Sequence, residues 1–366
     1  MTKNKSHKVL FAPLDWGLGH ATRMTPLIQE FLNLGCEVEI ATGGQAYELL
    51  MHEFPKLQMH RISGFDIRYS KHPLLMFRLI AQAPAMFRGM RKEYKWLKAY
   101  CENKAPDLII SDNRFGMHNK SVPSVYVTHQ INVIMPNYLK GLQPLVRYIH
   151  KKIIKNYQLC LIPDMEQQGL TGILAHSMNH FDFPHHYVGV LSRFPRSYDE
   201  IPDEIPDVLA VISGPEPQRT ILETKLVKRF KNETKSVLIV SGKPDSAVQN
   251  QVGSVKIISH LPSETLSELM KAAPVLICRS GYSTLMDLFE MGRKAIIIPT
   301  PGQTEQEYLA NYFMDHYNFK AISQNAFSEN VQLEPEHCGK WSHPAMSSSK
   351  DRLKQLVLNL LQIKKG

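Results

Sequence analysis

One alternation repeated along nearly the whole chain constrains its fold most: a short aliphatic run, a turn of small residues, then an amphipathic helical stretch. In the first half the runs KVLFAPL (8–14), CEVEIAT (36–42), DLIIS (107–111), SVYVT (124–128) and QLCLIP (158–163) alternate with helical stretches at 21–34, 44–53, 84–103 and 137–156. In the second half DVLAVIS (207–213), SVLIVS (236–241), KIIS (256–259), VLIC (275–278) and AIIIP (295–299) alternate with helical stretches at 216–231, 263–272 and 283–292. Strands that are apolar on both faces must be covered on both faces, so the pattern predicts an α/β fold with parallel sheets between helices.

At 366 residues the chain exceeds the reach of one hydrophobic core. Two domains are expected, 1–191 and 207–345. Residues 192–206 (SRFPRSYDEIPDEIP), rich in Pro, Ser and acid, join them as a linker. A C-terminal helix is expected within 346–366, with Leu353, Leu356, Val357, Leu360 and Leu361 forming one face that packs back across the molecule. The five cysteines, 36, 101, 160, 278 and 338, are odd in number and form no CxxC pair. Neither a disulfide framework nor a zinc site is expected, which fits a reducing cytoplasm. The N-terminal residues enter a strand directly, without a signal-peptide core, and no apolar run reaches the roughly 18 residues a spanning helix needs.

The net charge of +9 resides entirely in the first half, where residues 1–164 hold 22 Lys+Arg against 12 Asp+Glu. Segment 71–98 carries seven of these bases with one Glu among Leu, Met, Phe and Trp, and 139–155 carries five with no acid. Basic heads on apolar bodies suit an anionic membrane surface, so peripheral association with the inner face of the membrane is expected. Nucleic acid is not expected as a partner, because no recognisable binding motif accompanies the charge.

Chemistry concentrates at the strand ends. Residues 279–311 run from the strand VLIC into Ser280-Gly281, a helix opened by Tyr282 and Ser283 and carrying Asp287, a second strand, and a polar loop with Gln303, Glu305, Gln306 and Glu307. A helix N-terminus binds anions through unpaired N–H groups, which suits a diphosphate. A carboxylate such as Asp287 suits two vicinal hydroxyls, and amide side chains suit a sugar. Ser213-Gly214 before a helix with Arg219, and Ser241-Gly242-Lys243, add two more small-residue strand ends to the same phosphate-lined cleft. In the first half, Gly17-Leu18-Gly19-His20 follows the first strand, with Pro26 expected in the first turn of the helix. A dinucleotide fingerprint fails here, because Thr22 replaces its third glycine and no acid ends the second strand. His20, at the sheet's carboxyl edge, is the expected general base. Asp112 and the run Thr128-His129-Gln130-Ile131-Asn132 end neighbouring strands and suggest an acceptor pocket.

The Gly-x-Gly-His loop, the RSG-(5 residues)-D-(4 residues)-G stretch and the PTPGQTEQ segment together resemble the inverting glycosyltransferases of family 28. That resemblance implies the GT-B fold: two facing Rossmann-like domains, the second holding the nucleotide sugar. By the likeness Asp287 holds the donor ribose, and Ser280, Gly281, Tyr282 and Ser283 face the diphosphate. Gln306 and Glu307 meet the sugar, the backbone of Leu261 pairs with the base, and His20 is catalytic with His129 and Asn132 on the acceptor side. The donor is then a UDP-sugar and the acceptor a hydroxyl, as on a lipid-linked or cell-envelope glycan; no metal or cofactor is implied. The loop Ser213–Gln218 departs from the family's glycine-rich pattern, since two prolines remove N–H donors and Glu216 adds negative charge. A retaining mechanism would pair Glu290 with a glutamate where Ile298 stands. Two rival readings are a nucleotide-sugar 2-epimerase, whose Gly-Thr-Arg-Pro-Glu opening is absent, and a non-catalytic nucleotide-sugar-binding protein.

Overall fold

A computed structural model of the chain describes residues 6–62, 83–176, 181–194, 202, 204–244, 249–328, 331–343 and 349–363. The first sheet comprises β1 (Lys8–Pro13), β2 (Glu37–Thr42), β3 (Gln58–Arg61), β4 (Leu108–Asp112), β5 (Ser124–Val127), β6 (Leu159–Ile162) and β7 (His185–Tyr187). Their order is β3-β2-β1-β4-β5-β6-β7, and every pairing is parallel. Helices α1 (Leu18–Asn33), α2 (Gly44–Glu53), α3 (Ala83–Lys104) and α4 (Gln143–Ile154) lie between these strands in the chain.

The second sheet comprises β8 (Val208–Val211), β9 (Val237–Val240), β10 (Gln249–Val252), β11 (Val255–Ile258), β12 (Val275–Cys278), β13 (Ile296–Ile297) and β14 (Lys320–Ala321), in the order β10-β11-β9-β8-β12-β13-β14. It is parallel except for the β10–β11 hairpin. Its helices are α5 (Gln218–Phe230), α6 (Ser263–Ala272), α7 (Tyr282–Met291) and α8 (Thr304–Tyr317). A last helix, α9 (Ser349–Leu361), buries Leu356, Val357 and Leu360 and packs against α1, so the chain ends back on its first domain.

Both sheets are doubly wound, and each reverses strand order once, between β1 and β4 and between β8 and β12. Ligands of such sheets bind beyond the carboxyl ends of the strands at that reversal. The strands there are apolar on both faces: five of the six residues of β1 are buried, and Phe11 meets Phe31 of α1 edge to face at 5.4 Å. Each such side chain contributes about 1.5–3 kcal/mol on burial, enough to hold the loops that follow in place.

Three expectations are corrected. Gly17 alone makes the turn after β1, so α1 starts at Leu18 and Pro26 lies inside the helix, where it withholds the N–H that the carbonyl of Thr22 would receive. The stretch 137–156 divides into a 3₁₀ turn (Asn137–Leu142) and α4, because Pro144 starts a new helix. The polar segment 303–307 is no loop: Gln303 caps α8, and Glu305 and Glu307 occupy its positive first turn. The strands missed, β3, β7, β10 and β14, are short and polar and lie toward the sheet edges, where burial imposes no apolar pattern. Segments 71–82, 195–201 and 344–348, which include parts of the expected basic stretch, linker and C-terminal helix, lie outside the described residues. Among the described residues no helix is long and apolar enough to cross a membrane.

Candidate active site

His20, Asp112 and His129 meet at the first domain's strand-order reversal. His20 stands in the first turn of α1, just after Gly17, and its Nδ1 lies 3.0 Å from Oδ1 of Asp112, the last residue of β4. Asp112 is fully buried. Burial alone would raise its pKa, but Arg23 and His20 outweigh that and hold it down at about 2. Burial drives the His20 pKa below its ordinary value, with Asp112 opposing and Arg23 adding to the fall. The pair is thus a carboxylate beside a neutral imidazole near neutral pH.

Arg23, one turn beyond His20 on the same face of α1, was not expected here. It is buried, donates from Nε to Asp112 Oδ2 at 2.6 Å, and grips Oδ1 of the same carboxylate through Nη2. Its Nη1 lies 2.6 Å from His129 Nδ1. A guanidinium can only donate, so His129 Nδ1 is an acceptor and the ring's proton sits on Nε2. That Nε2 donates at 2.9 Å to Glu305 Oε1, a carboxylate of the second domain. Burial would raise the Glu305 pKa, yet His129, Arg23 and His20 keep it below the ordinary value. Nη2 of Arg23 also lies 2.7 Å from His20 Nδ1, so Asp112 and Arg23 compete for that nitrogen. If Nδ1–H donates to Asp112, Nε2 keeps a lone pair; if Nδ1 accepts from Arg23, Nε2 carries the proton.

The second domain brings its own reversal against this edge. Ser283 Oγ donates to the carbonyl of Gly19 at 2.8 Å, and a Cβ on Gly19 would lie 3.0 Å from that hydroxyl. The Tyr282 ring stacks on His129, with centroids 4.5 Å apart and planes 13° apart, and its hydroxyl donates to Pro163 O at 2.7 Å. Gly281 precedes α7 as its N-cap. Ser280 Oγ donates to the Gln306 carbonyl at 2.8 Å, which binds the start of α7 to the start of α8. The N-terminus of α7 therefore lies beside that of α1.

Other expected donor residues are already engaged. Ser192 of the linker donates to Asp287 Oδ1 at 2.6 Å, and Asp287 is buried, its pKa pushed up to about 6 by burial against the partial relief of Arg193 and Ser192. Glu216 accepts from Arg219 Nε at 3.0 Å and lies 3.8 Å from Lys243 Nζ, so it neutralises the cations expected to face phosphate. Arg219 Nη1 also donates to Gly242 O at 2.9 Å. Gly214 adopts φ 106° and Gly242 φ 64°; a Cβ on Gly242 would come within 2.6 Å of Ile212 O. Leu261 packs against the core just before α6.

Gln306 Oε1 accepts the Thr300 N–H at 2.9 Å, its Nε2 donates to Gln303 Oε1 at 2.5 Å, and Glu307 accepts the Gly302 N–H at 2.9 Å. These three side chains fold back on their own turn, while Glu305 alone of the group crosses to the first domain. Asn132 donates to Ile173 O at 2.9 Å and ties loops together beside His129. Two further buried groups escaped the sequence reading. Arg114 joins Asp15 (3.0 Å) of the loop before His20 to Glu93 (2.7 Å) of α3. Arg279 donates from Nη2 to Gln218 O at 2.9 Å, securing the end of β12, and burial lowers its pKa to about 10.

Residues 208–351 match the glycosyltransferase family 28 C-terminal domain, and residues 7–147 match glycosyl transferase family 1. The chain is similar to an uncharacterized glycosyltransferase of Methanopyrus kandleri, 24% identical over 331 residues that span 84% of this chain and 87% of that protein. One from Methanosarcina mazei is 21% identical over 323 residues, 82% of this chain and 81% of that protein. Among solved structures, the glycotransferase of kitacinnamycin superimposes with a TM-score of 0.58 at 14% identity, covering 97% of this chain and 95% of that one. MurG of Acinetobacter baumannii does so with a TM-score of 0.55 at 13% identity, covering 98% and 99%. With two Rossmann-like domains facing each other and a second domain of the family 28 type, the chain is a glycosyltransferase of the GT-B fold.

Proposed function

We propose that this enzyme moves a sugar from a nucleotide diphosphate, UDP by the family resemblance, to a hydroxyl acceptor by single displacement with inversion. The observation that carries the reading is the juxtaposition of His20, paired with buried Asp112, and the α7 N-terminus, joined by the 2.8 Å Ser283–Gly19 contact. With Nδ1–H donated to Asp112, His20 Nε2 takes the acceptor's hydroxyl proton as its oxygen attacks the anomeric carbon. The bond from that carbon to the β-phosphate oxygen breaks, and the charge gathering on the nucleotide is met by the fixed N–H groups at Gly281–Ser283. Asp287 exchanges its Ser192 partner for the ribose hydroxyls. Closure of the domains over the reacting atoms keeps water out.

The acceptor in this reading is carried on a lipid or cell-envelope glycan, and the enzyme works at an anionic membrane surface. Support comes from α4 and the turn before it, where Leu142, Leu145, Tyr148 and Ile149 form an exposed apolar stripe at helical spacing. Lys152 lies over the Tyr148 ring at 4.7 Å, whereas Lys151 and Lys155 are spent on Asp182. The catalytic reading is tested by following UDP release from UDP-glucose, UDP-galactose and UDP-N-acetylglucosamine, with UDP affinity measured by calorimetry. His20→Ala should lose about 10²- to 10⁴-fold in turnover while binding UDP as the wild type does. Undiminished turnover would remove His20 from the mechanism.

A further inference from the structure

We infer that Glu305, a residue of the donor domain, is a positioning residue for the catalytic base: through His129 and Arg23 it sets where the proton of His20 lies and how strongly that imidazole binds one. The inference rests on His20 being the base, and it adds a cause that neither domain supplies alone. The chain Glu305–His129–Arg23–Asp112–His20 alternates acceptor and donor without a break, with links of 2.9 Å at Glu305–His129 and 2.6 Å at His129–Arg23 and Arg23–Asp112. Four of its five members belong to the first domain and the fifth to α8 of the second.

The electrostatics give the chain its consequence. Arg23 grips both oxygens of Asp112, so within the first domain alone the guanidinium offsets part of the carboxylate's attraction for a nascent imidazolium. Bringing in Glu305 leaves two carboxylates to share one guanidinium. The second anion, its side chain 28% exposed, favours a proton on His20. Glu305 also accepts the Nε2–H that Arg23's donation to Nδ1 imposes on His129, and by anchoring that ring it favours the hold of the guanidinium on His129 over its competing contact with His20 Nδ1. Tyr126 of β5 and Tyr282 of α7 are the remaining titratable groups near Arg23, and burial keeps both phenols neutral. Because Glu305 arrives with the donor domain, His20 is a stronger base when the two domains are together, when transfer rather than hydrolysis is favoured.

The chemistry requires no known acceptor to be tested. Histidine-labelled protein is titrated by NMR as wild type, Glu305→Gln and Glu305→Ala, with His20→Gln and His129→Gln to assign the two rings. ¹⁵N shifts read the tautomers at neutral pH. Gln keeps an acceptor for His129 but no charge; Ala removes both. Glu305→Gln should lower the His20 midpoint by about half a pH unit. Glu305→Ala should do the same, while Arg23 keeps His129 in its Nε2–H form. Where His20 stays neutral across the accessible pH range, a move of its ring proton toward Nε2 in Glu305→Ala is the expected signature. An unchanged midpoint together with unchanged tautomers in both variants overturns the inference. His20→Ala turnover fails separately, so the loss of this inference and the loss of the catalytic reading are distinguishable.

Discussion

Asp287 should be more useful to the enzyme than to its fold. It is 7% exposed, and burial pushes its pKa from 3.8 to about 6. A folded-state pKa above the unfolded one means that the folded protein holds the proton more tightly between those values. Stability from this group is therefore full below about pH 4 and is lost as pH rises through 6. Above that, keeping the carboxylate ionised in the fold costs about 3 kcal/mol. Asp287→Asn retains an acceptor for Ser192 and carries no charge, so it should stabilise the protein by up to about 3 kcal/mol near neutral pH, a rise of about 5 °C in melting temperature. Calorimetric melts of both proteins at about pH 7.5 and pH 4.5 test this, and the gap should close in acid. Added UDP should raise the wild-type melting temperature more than that of Asp287→Asn. A variant that melts at or below wild type near neutral pH, or whose advantage persists undiminished in acid, would refute the reasoning.

Gly19→Ala should reduce turnover, because the new Cβ would sit 3.0 Å from Ser283 Oγ where the domains meet, at a cost of about 1 kcal/mol. Ser283→Ala in the same chain should restore part of the loss, and wild-type turnover in the single variant would show that the approach is not needed. On phosphatidylglycerol vesicles the wild type should float, and a Leu145→Asp/Ile149→Asp variant should stay at the bottom of the gradient. Equal behaviour of the two would end the membrane proposal.

The strand and helix rhythm was legible because each strand of the reversal is apolar on both faces, a pattern that only covered parallel sheets satisfy. For the same reason the strand ends were legible: small residues must follow such strands, and His20, Asp112, Ser280 and Gly214 all stand there. The polar edge strands were invisible because nothing buries one of their faces. Residues 303–307 read as a loop because amides and carboxylates favour both loops and the first turn of a helix, and only the packing of Leu309 and Phe313 selects the helix.

By itself, then, the sequence determined that two Rossmann-like halves would form, with His20 at the strand-to-helix junction after β1 and Asp112 at the end of β4 of the first. Local pattern and backbone chemistry are sufficient for that. Which charges meet was decided only by tertiary structure. Arg23 lies three residues from His20, so its position on the same helical face could be read, but not its grip on Asp112 or its contact with His129. Glu305 is 176 positions from His129, and no local pattern could show that it would cross between domains while Gln306 and Glu307 turned inward. Ser192 reaching Asp287, and Glu216 claiming Arg219 and Lys243, are likewise outcomes of packing. A buried charge takes whichever partner the fold brings near, and sequence spacing carries no record of that choice.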